Sequence, residues 1–282
     1  MVKKLSASLT DEELMRLKET ARSIRRSIIE MLSEAGSGHP GGSLSATDIL
    51  TVLYFHIMRH NPKNPRWENR DRFILSKGHA APVLYSTLAE CGYFQKSYLA
   101  ELRKLGSFLK GHPLRDMDHG IEATTGSLGQ GLSFGVGVAL AGKIDRKKYH
   151  VYVLLGDGEL DEGQVWEAAM SAAHYKCDNL TAIVDRNGLQ IDGPTEEVMA
   201  LEPLAMKWKA FGWRVTEVDG HDIPALVAAL TKRKKKDTPH LILAHTIKGK
   251  GVSFMEGKVH FHGVAPTREE REQALAELDK KD

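Results

Sequence analysis

His150 to Gly193 reads HVYVLLGDGELDEGQVWEAAMSAAHYKCDNLTAIVDRNGLQIDG, and this stretch decides the fold. Tyr152 to Leu155 and Leu180 to Val184 are short apolar runs rich in Val, Leu and Ile, the pattern of strands buried on both faces. Between them, Gln164 to Lys176 repeats at helical period, with Val165, Ala168, Ala169, Ala172 and Ala173 on one side. A crossover of this length makes the two strands parallel. As neighbours they would lie about 4.8 Å apart with their carboxyl ends level. The expected fold is α/β, a mostly parallel sheet flanked by helices on both faces.

The chemistry sits at those carboxyl ends. One strand runs out in Gly156-Asp157-Gly158, the other in Asp185-Arg186-Asn187-Gly188. Open α/β sheets bind ligands in the crevice there, so Asp157 and Asn187 would both face it. Their side chains offer hard oxygens, which suit Mg²⁺ or Ca²⁺, and Mg²⁺ commonly completes its shell with phosphates and water. Gly156 and Gly158 let the backbone approach a ligand closely. The next helix presents free N–H groups to anionic oxygens. Gly-Asp-Gly by itself is an ordinary turn. Two strands, a helix and Asn187 thirty positions after Asp157 make it a place for a divalent cation with a diphosphate.

Further elements extend the pattern in both directions. Leu9 to Ala35 reads as a helix, capped by Thr10 or Asp11 and ended by Gly36. Helices are expected over Thr47 to His60, Pro82 to Cys91, Lys96 to Leu105, Gly129 to Lys143, Ile223 to Lys235 and Thr267 to Lys280. Strands are expected over Arg72 to Leu75, Trp213 to Val218 and Leu241 to Ala244. The small residues of Gly129 to Lys143 suggest close packing on another helix, within the chain or across a subunit interface. With no repeat and no low-complexity linker, 1–282 reads as one domain, with an N-terminal helix over about 1–35 and a helical tail over about 267–282.

Composition narrows the function class. At 41% hydrophobic and 27% charged the chain can bury a sizeable core. With 39 basic against 37 acidic residues, the net charge of +2 carries no mandate for nucleic acid or a membrane surface. No apolar run reaches the roughly 18 residues of a membrane span, and the N-terminal charges are too closely spaced for a signal peptide. A cytoplasmic location is therefore expected. Cys91 and Cys177 read as reduced, buried thiols rather than a disulfide framework or zinc site. The run Lys232 to Lys236 reads as solvated cations at a helix end.

Five motifs in order bring in a family. Ser37-Gly-His39-Pro-Gly-Gly-Ser43, Ser76-Lys-Gly-His79-Ala, Gly111-His112-Pro113, Thr125-Gly-Ser-Leu-Gly-Gln-Gly131 and the GDG-to-Asn187 segment resemble those of transketolases, over about Ile28 to Pro266. The resemblance covers the diphosphate-binding domain alone. It implies a thiamine diphosphate-binding fold and the N-terminal subunit of a split transketolase. The partner would be a C-terminal subunit carrying the pyrimidine-binding domain, in an α2β2 assembly acting on sugar phosphates.

The resemblance also implies roles. Asp157, Asn187 and the backbone carbonyl of Leu189 would hold Mg²⁺ (or Ca²⁺ or Mn²⁺). Gly158, Asn187, His79, Lys248 and His262 would bind the diphosphate, and Gly126, Ser127 and Leu128 the central part of thiamine diphosphate. His39, His112 and His262 would be catalytic, the first two lining the approach to the reactive carbon. His260 competes with His262, and the Gly after His262 favours the latter. Glu162 is either a hydrogen-bonding group near a dimer contact or a helix N-terminal acid; Asp185 is either an acidic partner of the site or a turn former. The family's acid that activates the cofactor, and its phosphate-binding arginines, lie in the domain this chain lacks. Isolated chains should then be inactive. The rival readings are a component of a related thiamine diphosphate-dependent synthase and a non-catalytic regulator.

Overall fold

A computed structural model describes residues 8–232 and 235–280. Its centre is one sheet of five parallel strands: β1 (Arg72–Leu75), β2 (Val151–Gly156), β3 (Leu180–Arg186), β4 (Arg214–Asp219) and β5 (His240–His245). Their spatial order is β1-β2-β3-β5-β4. β2 and β3 are neighbours, with Gly156 opposite Asp185. Asp157 and Asn187 thus leave the sheet on the same edge, at adjacent levels. β5 inserts between β3 and β4, which brings the segment after it to the same edge.

Helices cover both faces, as the sequence predicts. In chain order they are α1 (Asp11–Ala35), α2 (Pro40–Ser45), α3 (Thr47–Val52), α4 (Ala81–Cys91), α5 (Gln130–Ile144), α6 (Gly163–His174), α7 (Thr195–Val198), α8 (Leu204–Ala210), α9 (Ile223–Thr231) and α10 (Arg268–Leu278). Strand alternation divides the core. Tyr152 and Leu154 of β2 join Ile183 and Ile242 under α1, α3, α4 and α9. Val151, Val153 and Leu155 join Ala182, Val184 and Leu241 under α5, α6 and α8. Successive side chains of a strand point to opposite faces, so one apolar run feeds both layers. None of the helices among the described residues is long and apolar enough to cross a membrane.

Local signals account for the helix ends. Thr10 accepts from the Glu13 amide while the Glu13 carboxylate accepts from the Thr10 amide. This capping box is worth about 1 kcal/mol, and Gly36 closes α1 at φ 63°. Thr267 and Glu270 repeat the device at α10. In α5, Gly135 lets the helix press onto β2, since a Cβ there would lie 2.5 Å from Val153 Cγ2. Close packing of the small residues is therefore real and falls within the chain, against the sheet and α6. The outward side of α5 still exposes Phe134 and Ile144.

Three helix expectations need correction. Thr47 to His60 stops at Ile57, its last turn widened to π geometry over Leu53–Ile57. The His60 ring donates to the Tyr54 carbonyl at 2.7 Å, occupying an acceptor that a further α turn would use. Lys96 to Leu105 is only a 3₁₀ segment, Lys96–Glu101. Leu99 and Leu102 reach the core, but Leu105 is fully exposed, so another turn would bury nothing. Ile223 to Lys235 ends at Thr231, so Lys232 lies beyond the last turn; Arg233 and Lys234 fall outside the described residues, as do 1–7 and 281–282. The short helices α2, α7 and α8 are additions. Cys91 and Cys177 are free thiols.

Candidate active site

The carboxyl edge of the sheet builds a cavity of about 250 Å³. β1 delivers Lys77 and His79, β2 delivers Asp157 and Gly158, and β3 delivers Asn187 and Leu189. Lys248 comes from the segment after β5. Loops contribute His39 at the start of α2, His112 and Gly126 ahead of α5, and His262 at the end of a 3₁₀ turn, Val259–His262. Every site residue expected from the sequence lines this cavity except Ser127, which is exposed between Gly126 and Leu128. His260 is exposed, edge-on to Phe261, so of the two competing histidines only His262 reaches the cavity.

Four histidines from four segments converge. The His39 ring centroid lies 5.4 Å from that of His79, 5.7 Å from His262 and 6.2 Å from His112; His79 and His262 stack at 5.3 Å. Burial, then the Arg103 guanidinium, lowers His39 to about 4. Burial and Lys248 lower His262 to about 3. Burial also pulls His79 well below its ordinary value, and His112 more modestly. All four rings are therefore neutral at pH 7 and can each offer one donor and one acceptor. Lys248 Nζ donates to His262 Nδ1 at 2.9 Å, which leaves the ring proton on Nε2. Burial, then Lys77, lowers Lys248 to about 8.

Below the cavity lies a buried polar floor that sequence reasoning missed. Lys77 is 1% exposed and Asp185 fully buried, and the two form an ion pair. Lys77 also donates to the Gly42 carbonyl at 2.9 Å. Ser45 Oγ donates to Asp185 at 2.6 Å, and Thr246 Oγ1 donates to its other oxygen. Burial favours the neutral acid at Asp185, but Lys77 and these donors outweigh it and hold the carboxyl below its usual range. Asp185 is thus a buried partner, not a turn former. Glu159 accepts from Ser76 Oγ and from the Gly129 and Gly156 amides at 3.0 Å each, tying the ends of β1 and β2 to the start of α5. Glu162 is exposed at the α6 N-terminus and makes no side-chain cap bond. Lys77 stands inside the Ser76-to-Ala80 motif and Glu159 next to the GDG triplet, so position alone could have flagged both; their burial could not be read.

The residues fit a diphosphate held with a cation. Among the described residues, Asp157 Oδ1 accepts only from the Gly158 amide, at 2.9 Å. Oδ2 accepts from the Gly188 amide at 2.6 Å and from Arg186 at 3.3 Å. One carboxylate, the Asn187 amide and the Leu189 carbonyl are oxygen donors of the type that hard cations take. No cluster of three or more His, Cys, Asp or Glu suited to a metal exists among the described residues. The buried His39 Nδ1 has no protein partner among the described residues, so a polar group waits unsatisfied beside the cavity. Lys77 and Lys248 supply positive charge.

Residues 17–279 match the family description "Transketolase, thiamine diphosphate binding domain". The chain belongs to the transketolase family. It is 47% identical to the 6-deoxy-6-sulfo-D-fructose transketolase subunit of Clostridium sp. (strain MSTE9), covering 95% of this chain and 98% of that protein. It is also 47% identical to an apulose-4-phosphate transketolase subunit of Phocaeicola vulgatus, covering 91% of this chain and 92% of that one. Transketolase from Campylobacter jejuni superposes with a TM-score of 0.87 at 37% identity, over 94% of this chain but 43% of its own. The transketolase-type domain here thus matches subunits end to end and longer transketolases over less than half their length.

Proposed function

We propose that this chain is the diphosphate-binding subunit of a two-component transketolase. With a C-terminal partner carrying the pyrimidine-binding domain, it moves a two-carbon ketol unit from a ketose to an aldose. The observation that carries this is the convergence of His39, His79, His112 and His262 on the cavity that also holds Asp157, Asn187 and Lys248. The end-to-end match to proteins named as transketolase subunits supports the split. In this reading residues 1–282 act as one domain in an α2β2 assembly in the cytoplasm, without nucleic-acid or membrane partners.

Thiamine diphosphate, when bound, supplies the carbanion chemistry; the chain binds and orients it. Asp157, Asn187 and the Leu189 carbonyl would hold Mg²⁺ (or Ca²⁺ or Mn²⁺), whose positive charge would offset the negative charge of the diphosphate. Gly158, His79, Lys248 and His262 take the phosphate oxygens, while Gly126, Ser127 and Leu128 support the middle of the cofactor. His39, His112 and His262 handle the sugar's hydroxyl and carbonyl oxygens: neutral rings can donate to a developing oxyanion and return a proton near pH 7. The relatives are named for a 6-sulfo sugar and a 4-phosphate sugar, and we extend to this chain only the class they share, a sugar with an anionic terminus.

The decisive assay measures ketol transfer by the chain alone, by its partner alone and by the two combined. Transfer only in the combination is expected. Robust turnover by the isolated chain would overturn the split assignment, and no transfer in the combination would overturn the activity.

A further inference from the structure

Arg186 ends β3, between the buried carboxylate of Asp185 and the expected cation ligand Asn187. Strand alternation sends Asp185 toward Ser45 and Lys77, and Arg186 to the opposite face of the sheet. The Arg186 side chain is buried there. Nη1 donates to Thr195 Oγ1 at 2.6 Å and to Asp157 Oδ2 at 3.3 Å. Nη2 donates to Glu196 Oε1 at 2.8 Å and to Glu202 Oε1 at 3.2 Å. A planar guanidinium can bridge several acceptors at once in a fixed geometry, whereas an ammonium acts as a point charge.

Three of these acceptors, Thr195, Glu196 and Glu202, belong to the segment 188–202, which brings Leu189, Gln190 and Ile191 to the cavity wall. The segment also folds on itself. The Thr195 amide donates to the Gly188 carbonyl at 3.0 Å, and the Leu201 and Glu202 amides donate to the Glu196 carboxylate at 3.2 and 3.3 Å. Arg186 thus ties the whole segment to Asp157. Two effects on a cation at Asp157 then oppose one another. The guanidinium repels it, yet three carboxylates share that guanidinium and more than balance its charge. What remains is geometry: Arg186 and the Gly188 amide fix Asp157 Oδ2, which leaves Oδ1 for the cation.

We propose that Arg186 is a positioning residue that locks the segment 188–202 onto Asp157, so that the Asp157 carboxylate and the Leu189 carbonyl are set before the cation arrives. The assignment rests on the cation-and-diphosphate reading above. It gives Arg186 no contact with cofactor or sugar; its effect passes through Asp157 and the segment.

The test uses Arg186→Met, Thr195→Val and the two combined. In Arg186→Met, Asp157 keeps two amide donors, and the half-exposed Glu196 and Glu202 can turn to water, so no carboxylate is stranded. Thr195→Val is the gentler variant: it cuts the 2.6 Å link without altering charge or touching Asp157. Thermal midpoint serves as the control for folding. Hydrogen exchange on the cofactor-free chain should speed up about tenfold or more at amides of 188–202 in both variants. Calorimetry of Mg²⁺ with the assembled two-subunit enzyme at saturating thiamine diphosphate should show Kd raised about 10- to 100-fold in Arg186→Met and about tenfold in Thr195→Val. The combined variant should be no worse than Arg186→Met, because both cut one lock. Loss of a repelling charge alone would tighten Mg²⁺ instead. Unchanged or tighter binding in Arg186→Met, additive losses in the combined variant, or unchanged exchange over 188–202 overturns the assignment. Failure of the wild type itself to bind Mg²⁺ with thiamine diphosphate would refute the cofactor reading, whereas normal wild-type binding that the variants leave intact would refute the role of Arg186 alone.

Discussion

Replacing Lys77 by Met should reverse the pH dependence that Asp185 lends to stability. The substitution keeps length and apolar volume but removes the cation from a fully buried carboxylate. Breaking a buried ion pair by deleting one partner costs about 3–5 kcal/mol. The structure sets an upper limit on this loss. Asp185 can escape by taking a proton, and protonating a carboxyl of ordinary pKa near 3.9 at pH 7 costs about 4 kcal/mol at 1.36 kcal/mol per unit. Ser45 and Thr246 still donate to the oxygens, each worth about 1 kcal/mol, so a loss of about 3–4 kcal/mol at pH 7 is expected.

The signs in the two proteins oppose one another. In the wild type the folded Asp185 pKa is depressed, so its contribution is present above the unfolded value and is lost as pH falls through the folded one. In Lys77→Met the folded pKa is raised, so the deficit shrinks by about 1.4 kcal/mol per pH unit on acidification and is about 1 kcal/mol or less at pH 5. Urea unfolding at pH 5, 6 and 7 measures this directly. Adding Asp185→Asn to Lys77→Met should recover most of the loss at pH 7. A deficit under about 1 kcal/mol at pH 7, one that is flat with pH, or a double variant no better than the single at pH 7 would show that the pair does not carry the charge balance argued here.

Other outcomes follow from the same geometry. Lys248, at about 8, is held below its unfolded value by burial and Lys77, so it weakens the empty fold below pH 8 and this penalty is gone above its unfolded pKa. An arriving diphosphate should restore its proton, so the affinity for thiamine diphosphate with Mg²⁺ should fall by up to about tenfold per pH unit above 8, and Lys248→Met should flatten that slope in calorimetry. Gly158→Ala puts a Cβ 2.9 Å from Gln190 Cβ and should weaken cofactor binding by about tenfold or more, partly restored by Gln190→Gly. Gly137 has open space around it on the exposed Phe134 and Ile144 side of α5. Gly137→Trp should therefore leave the subunit's stability within about 1 kcal/mol while abolishing co-elution with the partner; an intact complex would move the interface elsewhere.

What could be read in advance follows the range of the forces involved. β2, α6 and β3 were legible because periodicity and chain reversal are local, and Asp157 and Asn187 followed from where the apolar runs stop. The four histidines could be named from their motifs, but their convergence is tertiary: His39 and His262 are 223 positions apart in the chain and 5.7 Å apart as rings. Strand order is decisive here and is silent in the sequence. Because β5 inserts beside β3 ahead of β4, the segment carrying Lys248 arrives next to the Asn187 end, and Thr246 reaches Asp185. Burial was silent too. Lys77 and Glu159 look like ordinary surface charges until the sheet closes over them, and only then must each find partners or lose several kcal/mol. That requirement links fold and site. The polar residues needed to hold a charged cofactor at the edge of an apolar sheet are tolerable only because Lys77, Asp185, Ser45, Thr246, Ser76 and Glu159 satisfy one another beneath it. A substitution in that floor should therefore register first as lost stability and only then as lost binding, whereas one at His112, in the cavity lining, should do the reverse.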